Sequence, residues 1–417
     1  MKLASRIGLG LVALVTLAGR AQAQPASADP PVEPGEPPAK APAPPSAAEP
    51  PAPPPPVTPT PEEPTVTIAG WVETYFQYNL RKPSNEASNL RLDHEHDSFT
   101  VQNAALDLAG EQGPAHAHLT FQVGSATAVQ YAGEPIVPPA GSVPLSDPDL
   151  WQHLQQAWAG LTLPGDLVVD GGLFLSPIGP ESLIVKNDWN WSRSNLFFAL
   201  PFYHAGVRVT RPIADGWSVQ GWLINGWNDA VDRNDWKSGI VGASYTTDAL
   251  AANFVYNTGR ERAEGTLEED AWRHLFDANA TYTINDRVAV IGWIDGGFET
   301  GGIGTSGWIG AAAYLKYTIT PEVDVAVRGD FLKEWFGADD GFAATPIFFP
   351  TSWVAEGTFT LIYRPGDHVM VMAEYRHDSA GEDVYFADSV VGDGVLVPFV
   401  PDSDQQDTVT VGVVAWF

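Results

Sequence analysis

The chain has 417 residues, no cysteine and a formal net charge of −29, with 51 Asp and Glu against 22 Lys and Arg. Without cysteine no disulfide can support it, so a large hydrogen-bonded scaffold must hold it together, and so acidic a body repels nucleic acid, which excludes that class of partner. Aromatic residues make up 11% of the chain and include 15 Trp, a residue favoured where a half-wet ring sits at a membrane interface.

Residues 1–23 have the layout of a secretory signal peptide. Lys2 and Arg6 form a basic start, Ile7 to Ala18 an apolar stretch, and Ala21-Gln22-Ala23 a small-residue cleavage site. No later segment reaches ~18 uninterrupted apolar residues, so membrane-spanning helices are not expected. Residues 24–64 are almost entirely Pro, Ala, Glu and Ser, a composition that cannot bury a core and reads as a disordered linker. Extended as polyproline it would reach on the order of 120 Å. It reads as a periplasmic spacer able to contact the cell wall, or as a passive tail.

From residue 65 on, sixteen strand-like segments follow, near 65–80, 97–109, 115–125, 153–163, 166–175, 203–211, 216–226, 237–247, 250–259, 272–283, 287–298, 307–318, 322–334, 353–364, 368–378 and 406–417. Their lengths suit the ~9–11 residues of a tilted bilayer-crossing strand. Connections alternate short and long throughout. The short ones carry turn residues, as in Glu111-Gln112-Gly113-Pro114, Pro164-Gly165, Ala214-Asp215-Gly216, Asn285-Asp286 and Pro365-Gly366-Asp367. The long ones lie near 81–96, 126–152, 176–202, 227–236, 260–271, 299–306, 335–352 and 379–405. Faces alternate too. Val369, Val371, Ala373 and Tyr375 oppose Met370, Met372, Glu374, Arg376 and Asp378, and Ala117, Leu119, Phe121 and Val123 oppose His116, His118, Thr120 and Gln122. Charge is costly against lipid and tolerated in a wet lumen, so the polar face is expected inside. Segments 97–109 and 216–226 fit this alternation less well. The fold class expected for 65–417 is all-β: a sixteen-stranded antiparallel transmembrane β-barrel, with signal peptide and Pro-rich linker ahead of it. The last segment alternates Val409, Val411, Val413, Ala415 and Phe417 with Thr408, Thr410 and Gly412; its terminal aromatic, Phe417, looks like the signal read by barrel-assembly machinery.

Two stretches carry a family resemblance. The first runs Gly70-Trp71-Val72-Glu73-Thr74-Tyr75-Phe76-Gln77-Tyr78-Asn79, then Asn89-Leu90-Arg91 and Asp97-Ser98-Phe99. The second runs Phe174-Leu175-Ser176-Pro177-Ile178-Gly179, Asn190-Trp191-Ser192-Arg193-Ser194, Leu200-Pro201-Phe202-Tyr203-His204-Ala205-Gly206-Val207-Arg208 and Asn225-Gly226-Trp227-Asn228. Together they resemble the putative β-barrel porin-2, OmpL-like family. The resemblance implies a channel-type barrel in the outer membrane of a Gram-negative cell and names no solute.

Face assignment puts Glu73, Asp107, Asp170, Asp277, Asp295, Asp324, Asp330, Glu356 and Glu374 in the lumen with Arg208, Arg273, Lys316, Arg328, Arg364 and Arg376. A sixteen-stranded interior is too wide for side chains to fill, so these read as a charged pore lining, with salt-bridged wall packing as the alternative. The 176–202 loop follows the fifth strand, where sixteen-stranded porins fold a loop inward. Its Glu181, Lys186, Asp188 and Arg193, beside Trp189 and Trp191, are the expected constriction. Asp93-His94-Glu95-His96-Asp97 carries ligand-type side chains, but neighbours in an extended segment point apart, so no metal site is assigned. The acidic pieces Asp147 to Asp149, Asp339-Asp340 and Asp402 to Asp407 read as solvated loops. Trp217, Trp308, Trp353, Trp416 and Phe417 are expected in aromatic girdles, and Trp158, Trp222 and Trp293 have lumen parity suited to a sugar track. No nucleophile, metalloprotease or phosphate-loop motif occurs, so neither an enzyme nor a cofactor is expected. The expected function is passive diffusion of small hydrophilic solutes, weakly cation-selective. The alternatives are a non-transport barrel for adhesion or envelope tethering, and a sugar- or carboxylate-specific channel. A homotrimer is suggested by analogy with other sixteen-stranded porins.

Overall fold

The structure, a computed structural model, describes residues 63–134, 146–262, 269–302, 304–337 and 347–417. The expected signal peptide, nearly all of the linker and Asp339-Asp340 lie outside the described residues.

Sixteen strands form: β1 Thr65–Asn79, β2 Ser98–Gln112, β3 Ala115–Val123, β4 Leu154–Leu163, β5 Leu167–Leu175, β6 Tyr203–Ala214, β7 Trp217–Ile224 and β8 Ser238–Thr246, then β9 Leu250–Arg260, β10 Trp272–Asn285, β11 Val288–Thr300, β12 Thr305–Thr320, β13 Val323–Trp335, β14 Trp353–Gly366, β15 Val369–Ala380 and β16 Gln405–Trp416. Each pairs antiparallel with its sequence neighbours, and β1 pairs β16 from Trp71↔Trp416 to Asn79↔Thr408, closing the barrel. At the seam Phe417 N–H donates to the Gly70 carbonyl at 3.1 Å and Gly70 N–H to the Phe417 carbonyl at 3.3 Å. Closure leaves no strand edge unpaired, which a bilayer without water requires.

Short turns lie at one end. Gly165, at φ 81°, and Gly216, at φ 73°, occupy the left-handed region that tight hairpins demand. The expected alternation of faces is seen along β16: Val409, Val411 and Val413 face outward, while Thr408, Thr410 and Gly412 face a packed interior.

The two poorly fitting segments have different causes. In β2 the register shifts opposite Glu73/Thr74, and Gln102 and Asn103 are both buried, so a bulge breaks the period. In β7 the alternation is regular, but its inward residues Trp222 and Ile224 are apolar because loops pack on them. The long-loop half of the barrel contains an apolar core rather than bulk water. Leu92, Ala126, Phe197, Leu200, Trp227 and Phe349 from the loops meet Ile224, Ile240, Val255 and Leu275 of the wall.

The girdle expectation is corrected at two positions. Trp217 and Phe417 face outward, and Trp353 stacks on the outward Phe331 at 6.2 Å. Trp308 points inward, buried, and donates Nε1–H to Asp295 at 2.6 Å. Trp416 packs against an inner cluster of Tyr75, Val185 and Trp191. Outward Trp236, Trp272 and Trp335 at the loop end, and Tyr282, Tyr317 and Tyr363 at the turn end, fill the girdles instead.

Candidate functional site

The segment between β5 and β6 folds into the lumen and reaches the far wall. Its polar groups are anchored strand by strand. The Pro177 carbonyl accepts from Asn253 of β9 at 3.0 Å, and Gly179 N–H donates to Asp277 of β10 at 3.3 Å. Val185 N–H donates to Glu73 of β1 at 2.8 Å; Trp191 and Ser192 N–H donate to Glu374 of β15 at 2.6 and 3.0 Å. Asn190 Nδ2 donates to Thr360 of β14 at 2.7 Å, and Asn195 N–H and Nδ2 to Asp330 of β13 at 2.5 and 3.0 Å. A short helix, Asn195–Phe198, is capped by the Ser194 hydroxyl, which accepts from Phe197 N–H. Trp191 lies in the space a side chain at Gly412 would fill: a Cβ there would come within 2.3 Å of its ring.

These anchors determine where the expected residues sit. Glu73, Asp277, Arg328, Asp330, Glu356, Glu374 and Arg376 all point inward, but the loop covers them, and none is more than 7% exposed. They hold the loop rather than face water. Arg328 bridges Glu356 at 2.7 Å, Glu181 at 2.9 Å and the Ser192 carbonyl at 2.6 Å. Arg376 pairs Asp378 at 2.6 Å and donates to the Arg193 carbonyl. Buried charges of this kind need such partners.

The four constriction residues lie within the inward loop. Glu181 is bound to Arg328 and Ser194. Arg193 is buried; it donates to the Ser182 and Trp191 carbonyls at 2.6 and 2.5 Å and lies 3.2 Å from Asp188. Burial pushes the Asp188 carboxyl up and Arg193 recovers only part of that, leaving it at about 8. Lys186 is half-buried, 5.8 and 6.0 Å from the Trp71 and Trp416 rings.

A second lumen region, on the wall from β2 to β7, is not covered in this way. Asp107, His116, His118, Trp158 and Arg208 are half-buried there. Arg208 Nε donates to Asp170 at 2.7 Å, and its guanidinium lies over Trp158, Phe174 and Trp222 at 4.6, 4.4 and 5.6 Å. His118 stacks on Trp158 at 5.2 Å and reaches Asp107 at 2.7 Å; His116 reaches Asp170 at 2.6 Å. The Trp158 indole is thus stacked against both His118 and Arg208, Trp222 is buried among neighbours, and Trp293 donates to Asp277, so these three rings form no open stacking track. Lys316, over Trp189 at 4.8 Å, and Arg364, paired with Asp324, complete the half-buried charges near the turn end. Arg273 sits at the loop end, 2.7 Å from Glu299.

The sequence reading missed a second inward fold, at residues 81–97. Asp93 is buried and accepts from Arg91 at 2.7 Å and Thr410 at 3.1 Å. Burial raises its carboxyl, but Arg91 and Gln77 outweigh that and hold it below the usual carboxylate range. His96 Nδ1 accepts from Asn79 N–H at 2.8 Å, and Glu95 accepts from the Tyr75 hydroxyl. The motif 93–97 is therefore spent on packing this loop. The one available signal was the polar–apolar alternation of Asn89-Leu90-Arg91-Leu92-Asp93.

A closed sixteen-stranded antiparallel barrel, with long loops at one end, short turns at the other and a loop drawn into its lumen, is an outer-membrane porin. The chain belongs to the family Putative beta-barrel porin-2, OmpL-like, which matches it over residues 65–417. Solved structures share the fold. An anion-selective porin from Comamonas acidovorans superposes with a TM-score of 0.54 at 14% identity, covering 85% of this chain and 100% of that one. The outer membrane protein OmpT of Vibrio cholerae, in a trimer form, gives 0.52 at 10% identity, covering 85% and 99%. The outer membrane channel DcaP of Acinetobacter baumannii gives 0.52 at 12%, covering 85% and 97%. No curated protein matches the chain.

Proposed function

We propose that this barrel is a general diffusion channel of the Gram-negative outer membrane for small hydrophilic solutes, with a weak preference for cations. The observation that carries the reading is the charge of the turn end. Every short hairpin has an exposed carboxylate in or beside its turn: Glu111 at the end of β2, then Asp166, Asp215, Asp248, Asp286, Glu322 and Asp367. Arg211 and Arg287 offset only part of this ring. A ring of acids at a pore mouth concentrates cations over roughly a Debye length, ~10 Å at 0.1 M salt. Size selection would come from the inward loop, with the half-buried charges of β2–β7 and β12–β14 along the remaining path. The pore-lining assignment is thus narrowed to Asp107, Arg208, Lys316 and Arg364. Residues 1–23, 24–64 and 65–417 would be the leader, the periplasmic spacer and the channel. A homotrimer would fit the barrel arc β2–β6, whose outward residues include few large aromatics.

The test is a reversal potential under a KCl gradient in a planar bilayer. A mild cation preference that weakens in high salt, and weakens again in Asp166→Asn/Asp248→Asn/Asp367→Asn, is the expected result. An anion preference would refute the selectivity. A second reading, a barrel for adhesion or tethering, is favoured by the apolar core in the loop half. A silent bilayer from folded protein would establish it over the first.

A further inference from the structure

We propose that the outer wall of the barrel, at its loop end, carries a serine-hydrolase site for the acyl esters of membrane lipids, an activity beyond the channel and independent of it. Ser379 and His377 stand two residues apart on β15, and Asp407 of β16 lies directly opposite His377. Period-2 parity puts all three on the face of Tyr375 and Val409, which are exposed on the outside of the barrel. The Ser379 hydroxyl is 3.0 Å from His377 Nε2, and His377 Nδ1 is 2.8 Å from Asp407 Oδ1. This is the order of contacts in a nucleophile–base–carboxylate triad, which is recognised by geometry and roles rather than by sequence position. With the ring proton on the nitrogen that faces the carboxylate, Nδ1–H donates to Asp407 and Nε2 accepts from the Ser379 hydroxyl. Asp407 is held in turn by the Tyr375 hydroxyl, which donates to it at 2.9 Å, and by Arg81 at 3.5 Å. The His377 side chain is 43% exposed, so the base is open to a ligand from the membrane side.

The surroundings suit a lipid ester. Ser379 pairs with Ala355, two residues from Trp353 of the girdle, so the hydroxyl sits near the boundary between hydrocarbon and headgroups, where an acyl ester lies. On the β14 side Gly357 stands opposite His377, and Gly329 of β13 stands opposite Gly357. A Cβ at Gly357 would meet nothing within 4 Å. The two glycines leave a shallow trough leading to His377, bordered by the exposed rings of Phe331 and Phe359, and an acyl chain can lie in it. The Trp353 indole is on this face as well. Its Nε1 would lie 2.9 Å from a Cβ at Gly381, the next outward position after Ser379, and it supplies a donor toward the oxyanion. Ser379 Oγ attacks the ester carbonyl carbon while its proton passes to His377 Nε2. The C–O bond to the alcohol breaks, and the alcohol leaves with that proton. Water, activated by the same nitrogen, then hydrolyses the acyl-serine, which releases the fatty acid and restores the hydroxyl. The net reaction is ester plus water to acid plus alcohol, with no other reactant.

The test places the detergent-solubilised full-length protein in mixed micelles with dioleoylphosphatidylcholine and reads released fatty acid against blank micelles. A fluorophosphonate, its adduct located by mass spectrometry, reads the nucleophile. The expected result is fatty-acid release that falls about 100-fold or more in Ser379→Ala and in His377→Gln, and an adduct on Ser379 that His377→Gln prevents. Asp407 acts through His377 and is a positioning residue, so Asp407→Ala should lower kcat about tenfold or more at unchanged KM. Heat-modifiable migration checks that each variant is folded, and the adduct on the unsubstituted protein needs no variant at all. Release unchanged in Ser379→Ala, or no adduct at Ser379 in the unsubstituted protein, would overturn the site. An adduct without fatty-acid release would overturn the lipid ester as substrate. Neither readout needs current, so a silent bilayer would refute the channel and leave this site standing.

Discussion

Trp191 and Gly412 illustrate how single residues hold the lumen narrow. The indole occupies the space a β16 side chain would take, with ring atoms 2.3 to 2.5 Å from where a Cβ would sit. Gly412→Val must displace the ring or the strand, an overpacking that costs typically about 1–3 kcal/mol. We expect a larger single-channel conductance with more open-state noise, and no such change in outward Val411→Ala. Unchanged conductance in Gly412→Val would mean that Trp191 does not border the path. Asp188 adds a pH dependence. Its carboxyl, at about 8 in place, would return to about 3.9 in a released loop. Seating therefore takes up a proton, so its stabilisation is fully present below about pH 4 and is lost as pH rises through about 8. Noise should grow between about pH 4 and about pH 8 in the unsubstituted channel, level off above that, and be flat in Asp188→Asn; identical profiles would sink the assignment. Arg193, bound chiefly by the Ser182 and Trp191 carbonyls, keeps its place either way.

At the scale of elements, the strands were legible and the loops were not, for a physical reason. A strand exposed to lipid on one face and a polar interior on the other must alternate, so Glu73, Arg328, Glu374 and Arg376 could be placed inward from parity alone. Parity says nothing of what lies opposite. That these four meet backbone N–H and carbonyl groups of the inward loop, instead of water, depends on a path of residues 176–202 that has no period to read. The fold of 81–97 escaped for the same reason. The loop's hold is concentrated in Arg328, which donates to Glu181, Glu356, the Ser192 carbonyl and hydroxyl, and the Thr358 hydroxyl. Arg328→Met leaves Glu181 and Glu356 buried without it, a loss of order 3–5 kcal/mol. We expect the loop to detach while the barrel persists, read as raised conductance with unchanged far-ultraviolet circular dichroism. Loss of the β signal would show instead that Arg328 supports the wall.

Over the whole molecule, stability rests on the closed ladder of backbone hydrogen bonds, with no covalent cross-link. The prediction is a heat-modifiable band: unheated protein in dodecyl sulfate should run compact and boiled protein extended, with reductant making no difference, because the chain has no cysteine. The girdles of Trp, Tyr and Phe at both ends of the outer wall fix the depth of that cylinder in the bilayer.

The β1–β16 seam has a consequence for biogenesis. Gly70 and Phe417 bond each other across nearly the whole length of the barrel sequence. Until that last register forms, β1 and β16 each present a row of unpaired N–H and C=O groups that hydrocarbon cannot satisfy. Insertion is then all-or-none in the number of strands: a chain of fifteen has no resting state in the membrane and remains a substrate for aggregation and proteolysis. Bringing the two ends together carries a closure entropy that rises with the length of chain between them.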